Sequence, residues 1–210
     1  MTRGWVITGN VRLGAPFDSG VIAIPAILAR FATTHPLVQV DVRLDSSRAL
    51  RQLCLAGDLD LALFSLEDNG ALATTTVHTE ELVWVGRRNG GAVHRRPLPV
   101  ALAESGCSWR SKALAALHAA GIPVRVAYSS EHCQGQIAAV EADLAIAPLP
   151  RSVIAPPFVR LGQADGLPAL GGYDVQMLRR DGAGAVTDAL AEHVAASFAD
   201  IGSRGRRLFA

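Results

Sequence analysis

Short apolar runs with the spacing of strands alternate with runs spaced like helices along almost the whole chain, and this alternation restricts the fold more than any other feature. Residues 11–15 predict a first strand, and apolar residues between 24 and 31 then recur at the i, i+3, i+4, i+7 positions of one helix face. The alternating run 38–42 predicts a second strand. Such a succession is typical of an α/β architecture with mostly parallel sheets.

Serine, glycine and proline residues mark where the next elements begin and end. Ser46 or Ser47 is expected to cap a helix and Gly57 to end it, because serine caps helix N-termini and glycine tolerates the left-handed conformation. The wholly apolar run 61–64 predicts a strand covered on both faces. A later strand is expected at 144–147. Four prolines are then expected to break the pattern: Pro148, Pro150, Pro156 and Pro157.

A polar, glycine-rich stretch at 87–91 predicts a crossover between two subdomains, because strand patterns resume immediately after it. Strand-like runs at 158–161 and 174–178 are expected to return the chain to the first subdomain. Two such lobes would hold a ligand cleft between them, at the carboxyl ends of their strands. The predicted division is 1–10 as the end of a linker or an expression remnant, 11–86 plus 158–201 as subdomain I, 87–157 as subdomain II and 202–210 as a C-terminal tail.

Charge and cysteine content exclude several classes of protein. The formal net charge is +1, from 20 basic and 19 acidic residues, so no overall field attracts nucleic acid or an anionic membrane. Cys54, Cys107 and Cys133 form an odd set without CxxC spacing, which argues against a disulfide framework and favours a reducing, cytoplasmic location. No stretch approaches 18 uninterrupted apolar residues and the N-terminus has no continuous apolar run, so neither membrane insertion nor export is expected.

Three serine-bearing segments, 44–47, 106–110 and 128–131, each follow a short apolar run at the point where a helical pattern begins. Backbone N–H groups at helix N-termini bind polar groups, and serine hydroxyls both donate and accept hydrogen bonds. A serine in such a position most often only caps its helix. Three of them converging favour a small-molecule sensor over an enzyme.

The segment 57–62, Gly-Asp-Leu-Asp-Leu-Ala, is the most informative motif of the chain. Together with Ile24-Pro25, the run Leu28-Ala29-Arg30-Phe31 and His35-Pro36, it resembles the start of the effector-binding domain of LysR-type transcriptional regulators, whose counterpart reads Gly-x-Leu-Asp-x-Ala. The resemblance extends over roughly 11–201. Within it, 82–85, 97–102 and 107–114 are similar to one subgroup, the regulators of motility, exported virulence factors and secondary metabolism.

This resemblance implies a type-II periplasmic-binding-protein-like fold of two Rossmann-like subdomains with a ligand cleft between them. It implies a small-molecule effector, no catalytic role, and contact with DNA only through an N-terminal winged helix-turn-helix that this chain does not contain. It also implies a homodimer or higher homo-oligomer. In a side-by-side antiparallel dimer, the helix at 21–34 of one copy would pack near the helix at 131–142 of the other.

The resemblance further implies a set of effector-binding residues at the strand ends. They are Phe17, Asp18, Ser19, Ser46, Ser47, Ser65, Ser108, Trp109, Ser129 and Ser130. Asp18 departs from the small neutral residue common in the family, and its carboxylate would disfavour a simple anionic effector unless a cation, for which Arg110 is a candidate, offsets it. Trp109 is either a flat wall for an aromatic ligand or core packing.

Two other functions remain open from the residues. A solute-binding protein of a transport system shares the two-lobed fold and would need an export signal. A thiol-based redox sensor would use Cys107, before one helix, or Cys133, in the first turn of another, where the helix dipole favours a thiolate. His132 and Cys133 lack further ligands at metal spacing, and the chain carries no convincing acid–base pair, so we predict no metal, no cofactor and no enzyme activity.

Overall fold

The computed structural model describes residues 8–17, 19–66 and 72–207, with backbone only at 19–22 and 201–207. Its contacts divide the chain at two points, between Thr79 and Glu80 and between Tyr173 and Asp174. The first unit holds the described residues before and after these points, and the second unit is Glu80–Tyr173. The sequence-based boundaries fall elsewhere, after 86 and after 157, and that assignment stays a prediction.

Helices and strands alternate through most of the described chain. In chain order they are β1 (Gly9–Pro16), α1 (Ser19–Thr34), β2 (Val38–Asp45), α2 (Ser47–Ala56), β3 (Leu61–Phe64), β4 (Thr75–Arg87), β5 (Leu98–Leu102), α3 (Ser108–Ala119), β6 (Val124–Ser129), α4 (Cys133–Glu141), β7 (Ala147–Pro150), β8 (Phe158–Leu161), β9 (Gly172–Arg179) and α5 (Ala185–Arg207). The predicted α/β class is confirmed. No helix among these described elements is both long and apolar enough to cross a membrane.

The sheet of the first unit is mixed in direction. β1 pairs in parallel with β2, where Leu13 lies beside Val42, and in parallel with β3, where Leu13 lies beside Leu61. β9 then pairs with β3 in the antiparallel sense, with Leu61 opposite Arg179. The expectation of mostly parallel sheets is therefore wrong for β9. The expectation failed because residue periodicity predicts a strand and the face that it buries, but not the direction of the neighbouring strand.

α2 begins and ends at residues that the sequence predicts. Ser46, not Ser47, is the N-cap, and its side chain accepts a hydrogen bond from the Ala49 N–H. Gly57 adopts the left-handed conformation after the last turn, with φ of 84°. The helix buries Leu50 and Cys54 against β3 and β9, in a core cluster that also contains Leu59, Ala62, Phe64 and Leu178.

Gly14 in β1 shows how closely this core is packed. A Cβ atom at position 14 would lie 2.5 Å from Leu59 Cδ1 and 2.8 Å from Leu50 Cδ2, both closer than carbon atoms can approach. A side chain at position 14 would therefore force the buried Leu50 and Leu59 side chains to move.

The second unit repeats the β–α–β arrangement and adds antiparallel strands. β5 pairs in parallel with β6, while β7 and β8 both pair with β4 in the antiparallel sense. Its core cluster combines residues of β4, β5, β7 and α4: Val83, Val85, Ala101, Cys133, Ala139, Val140, Ala145, Ala147 and Leu149.

Pro148 and Pro150 lie inside β7, so the predicted break at these two prolines is wrong, and the strand predicted at 144–147 is correct only at its C-terminal end. The strand begins at Ala147 and ends at Pro150. Backbone groups of successive residues in a strand point alternately to its two neighbouring strands. Ile146 directs its N–H and its carbonyl to β5, where they bond Pro99 and Ala101. Residues two and four positions further on, Pro148 and Pro150, face the same side. Their missing N–H groups would therefore point away from β4, and the pairing of β7 with β4 loses no hydrogen bond.

Asp60, just before β3, joins three distant segments of the first unit. Its side chain is 9% exposed, and its Oδ2 accepts hydrogen bonds from the Arg12 backbone N–H at 2.9 Å and from Arg12 Nε at 3.0 Å. Its Oδ1 accepts from Arg12 Nη2 at 2.9 Å and Arg180 Nε at 3.0 Å. The Arg12 hydrogen bond is the largest of the effects that lower the pKa of Asp60 to about 2.

We expect Asp60→Asn to lower the free energy of unfolding at pH 7 by about 2 kcal/mol or more, since each pKa unit is worth roughly 1.4 kcal/mol. The folded chain holds the Asp60 pKa below the ordinary value near 3.9, so its contribution is complete above that value. It is lost as the pH falls through about 2. Urea denaturation of both proteins between pH 7 and pH 2 measures the difference.

Asp58→Asn is the matched control, because Asp58 lies two residues away with an exposed side chain. Its unfolding curve should stay close to that of the unmodified chain at every pH. Equal stability of Asp60→Asn and Asp58→Asn at pH 7 would show that the buried carboxylate does not hold the first unit together.

Candidate functional site

The predicted residues of the first unit follow neighbouring strand ends. Pro16 of β1 lies beside Asp45 of β2, so Phe17 and Ser46 come directly after paired positions. Phe17 is half-buried. Asp18 and the side chain of Ser19 lie outside the described residues, so their predicted contacts remain predictions.

Ser46, Ser47 and Ser65 each use their hydroxyl oxygen for a backbone contact. Ser46 Oγ accepts from Ala49 N at 3.3 Å, and Ser47 Oγ accepts from Ser65 N at 3.0 Å. Ser65 Oγ donates to the carbonyl of Asp174 at 2.8 Å. The structure therefore brings Ser47 and Ser65 together. The hydroxyl hydrogens of Ser46 and Ser47 have no acceptor within residues 8–17, 19–66 and 72–207.

The predicted residues of the second unit follow β5 and β6, which pair with Leu102 beside Ser129. Ser108 is the first residue of α3 and is half-buried, whereas Ser129 ends β6 and is exposed. Neither hydroxyl forms a hydrogen bond within the described part of the chain. Ser130 Oγ instead donates to the His132 carbonyl at 2.9 Å and accepts from the His132 N–H at 3.2 Å.

Trp109 lies in the core of the second unit. Only 5% of the residue is exposed, and its ring centroid is 4.9 Å from that of Tyr173. This is the packing role that a large ring near a helix start can also have. Arg110 donates from Nη1 to the Ala103 carbonyl at 2.8 Å, which fixes the guanidinium on the loop before its own helix.

Two polar residues beside the predicted site were missed. Asp174 in β9 accepts from Thr79 Oγ1 at 2.6 Å through its carboxylate and from Ser65 Oγ at 2.8 Å through its backbone carbonyl. Gln136 of α4 is 3% exposed and donates to the Ser130 carbonyl at 3.2 Å. Its spacing of three from Cys133 and four from Val140 marks the buried face of α4, and that spacing could have identified it.

Gly135 permits the Ser130 turn to lie against α4. A Cβ atom at position 135 would lie 2.4 Å from Ser130 Oγ. A side chain at this position would therefore displace the hydroxyl that binds His132.

The three cysteines occupy different environments. Cys54 is 1% exposed, and burial raises the pKa of its thiol to about 11, so it stays protonated and unreactive at neutral pH. Cys107 is the N-cap residue of α3 and is half-buried. Cys133, the first residue of α4, is buried and its sulfur lies 3.5 Å from Gln134 Oε1. Among the described residues, no group of three or more His, Cys, Asp or Glu side chains could hold a metal ion.

Comparison with known proteins places this geometry in one family. The profile of the LysR substrate binding domain matches residues 6–199. The HTH-type transcriptional regulator DgdR of Burkholderia cepacia is 31% identical over 194 residues, which cover 92% of this chain and 66% of DgdR. The HTH-type transcriptional regulator PecT of Dickeya dadantii (strain 3937) is 26% identical over 164 residues, covering 78% of this chain and 52% of PecT. The chain thus spans about two thirds or less of the length of these curated relatives.

A solved structure gives the same fold. The reduced form of the regulatory domain of OxyR2 from Vibrio vulnificus matches with a TM-score of 0.72 at 16% identity, over 94% of this chain and 99% of that domain.

We expect Ser46→Ala to lower the free energy of unfolding by about 1 kcal/mol, because it removes the acceptor that caps α2. Ser129→Ala should change stability little, since Ser129 is exposed and its hydroxyl forms no hydrogen bond in the described part of the chain. Urea denaturation followed by circular dichroism compares the two. If both variants are as stable as the unmodified chain, Ser46 does not act as a cap in solution.

Proposed function

We propose a function that follows from the family of this chain, which belongs to the LysR substrate-binding domains. The chain is the small-molecule effector-sensing and dimerisation domain of a LysR-type transcriptional regulator. The observation that carries this proposal is the family match over residues 6–199, nearly the whole chain. DgdR and PecT are by name HTH-type transcriptional regulators. In our proposal DNA is bound by an N-terminal winged helix-turn-helix outside this chain, and the protein acts in the cytoplasm without a catalytic role.

Each unit contributes one polar set to effector binding. In the first unit the donors are Ser46 and Ser47, whose oxygens accept backbone N–H groups and whose hydrogens have no acceptor among the described residues. In the second unit they are Ser108 and Ser129. The other predicted residues complete the set: Phe17, Asp18, Ser19, Ser65, Trp109 and Ser130.

The carboxylate beside Ser46 bears on the class of effector. Asp45 accepts from the Ser46 N–H at 2.8 Å and also pairs with Arg43 at 3.1 Å. The part of its charge that Arg43 does not offset would repel a simple anion from Ser46. We therefore infer that the effector presents a neutral polar or a cationic group to the first unit.

We expect Ser108→Ala and Ser129→Ala each to weaken effector binding about fivefold, because each removes one hydrogen bond worth about 1 kcal/mol. Calorimetric titration with the compound recovered from the purified chain measures the change. Ser111→Ala is the control, because Ser111 lies in the same helix as Ser108 and its hydroxyl bonds the Cys107 carbonyl. Equal affinity in all three variants and the unmodified chain would place the effector elsewhere.

Exposed apolar side chains on β2 and β6 support the dimer. Val42 and Leu44 of β2 are 38% and 39% exposed, and Val126 and Tyr128 of β6 are 37% and 42% exposed. In the described pairings β2 contacts only β1 and β6 contacts only β5, so each strand has an open side. We propose that α1 and β2 of one copy pack against α4 and β6 of a second copy, which would cover these side chains.

We expect Val42→Lys to raise the dimer dissociation constant at least about tenfold, because a buried unpaired ammonium costs more than the lost valine contact. Sedimentation equilibrium measures the change. Leu55→Lys is the control, since Leu55 is a 54% exposed apolar side chain on α2, outside the proposed interface. A dimer that resists Val42→Lys, or that both variants disrupt equally, would contradict this interface.

The alternative functions have less support. A transport protein is disfavoured because the curated relatives are transcriptional regulators. The redox alternative cannot use Cys54, whose pKa is raised by burial, and would rest on Cys107 or Cys133 alone. The likeness to the OxyR2 regulatory domain, at 16% identity, supports a shared fold and not a shared chemistry.

A further inference from the structure

Four arginines of the second unit lie at the end of β4 and in the loop that leads to β5. They are Arg87, Arg88, Arg95 and Arg96, and all four are exposed. We call residues 87–96 the arginine loop. The segment 82–103 around it contains no aspartate or glutamate, although the whole chain has a formal net charge of only +1. Positive charge is therefore concentrated locally in this loop.

Asp143 holds the backbone of the arginine loop in place. Its Oδ2 accepts a hydrogen bond from Gly91 N at 2.8 Å, and its Oδ1 accepts one from Ala92 N at 3.0 Å. A Cβ atom at position 90 would lie 2.4 Å from Asp143 Oδ1, so a side chain there would push the carboxylate away. The arginines are therefore attached to a backbone that tertiary contacts fix.

The positive charge of the loop is only partly neutralised. Asp143 forms an ion pair with Arg95 at 3.3 Å, and the charge of Arg87 also acts on it, so both ends of the loop lie near this carboxylate. Arg96 donates from Nη1 to two backbone carbonyls, at 2.8 and 2.9 Å, which orient its guanidinium without cancelling its charge. Neither Arg87 nor Arg88 forms an ion pair or a side-chain hydrogen bond with any residue that the structure describes. Four guanidinium groups thus share one contacting carboxylate within the described chain, and the loop keeps a net positive charge.

The residue types of the loop indicate which anion it fits. The planar guanidinium of arginine donates two N–H groups to the oxygens of a phosphate. The loop contains no phenylalanine, tyrosine or tryptophan on which the bases of a single strand would stack. Duplex DNA instead presents a continuous phosphate surface, with one negative charge per about 1.7 Å of helix axis. We propose that the arginine loop binds the phosphate backbone of duplex DNA, independently of the base sequence.

Two arguments favour duplex DNA over an acidic peptide. A run of glutamates, even fully extended, carries at most one charge per about 3.3 Å, which is half the charge density of the duplex. The second argument rests on the proposed function: a transcriptional regulator is held on duplex DNA, where a high effective concentration strengthens even a weak contact. The proposal departs from the expectation that DNA is contacted only through the N-terminal winged helix-turn-helix.

Fluorescence anisotropy of a labelled duplex of about 20 base pairs, titrated with the 210-residue chain, tests the proposal. We expect saturable binding at about 20 mM NaCl that weakens as salt is added, because bound arginines release counterions from the DNA. The logarithm of the binding constant should fall with the logarithm of the salt concentration with a slope of about −2 to −4, as for roughly two to four phosphate contacts. Two duplexes of unrelated sequence should bind within about twofold of each other.

Arg87→Gln combined with Arg88→Gln removes two guanidinium groups that bond no described residue, so the fold should be kept. This double variant should weaken duplex binding at least about tenfold and reduce the size of the salt slope by about two. Arg48→Gln combined with Arg179→Gln is the control, because it removes the same charge from two exposed arginines of the first unit. Duplex binding by the control should stay within about twofold of that by the unmodified chain.

The proposal is overturned if the unmodified chain shows no saturable binding at about 20 mM NaCl, or if the control weakens binding as much as the double variant. It is also overturned if a glutamate peptide of equal charge binds the chain more tightly than the duplex does, which would make an acidic protein the partner. Any of these results leaves the proposed function intact, because effector retention and dimer formation are measured without DNA. A bare monomer that binds the duplex through the arginine loop would contradict the proposed function and not this contact.

Discussion

Burial of the Asp60 carboxylate imposes the constraint on which the first unit depends. A charged side chain that is only 9% exposed needs partners, and Arg12 of β1 and Arg180 after β9 supply them. Backbone hydrogen bonds join the same three residues, since Asp60 N donates to the Arg12 carbonyl and Arg180 N donates to the Asp60 carbonyl. Through these contacts the ends of β1, β3 and β9 are fixed together, although their residues are separated by up to 168 positions in the chain.

The consequences reach the proposed effector residues. When β1 and β3 are held in register, the residues that follow their carboxyl ends, Phe17 and Ser65, are held as well. An effector bound at that end of the sheet would therefore contact groups that this network supports. Binding can shift the regulator between states only by as much as the affinities for those states differ.

Elements with local causes could be predicted from the sequence. Ser46 and Gly57 bound α2 as expected because capping depends on residues within a few positions, and the apolar run 61–64 forms a strand. The direction of β9 and the place of Pro148 and Pro150 in β7 could not, because both depend on the strands beside them. The same holds for the site: the serine positions follow from the pattern, but whether Ser65 or Ser129 has a free hydroxyl depends on partners as distant as Asp174.

Native mass spectrometry of the purified chain tests most directly whether this is a ligand-sensing, dimerising domain. We predict a dimer that carries a discrete additional mass, released as a small molecule when the protein is denatured. A bare monomer at all concentrations, with no retained compound and none taken up from a cell extract, would contradict that function.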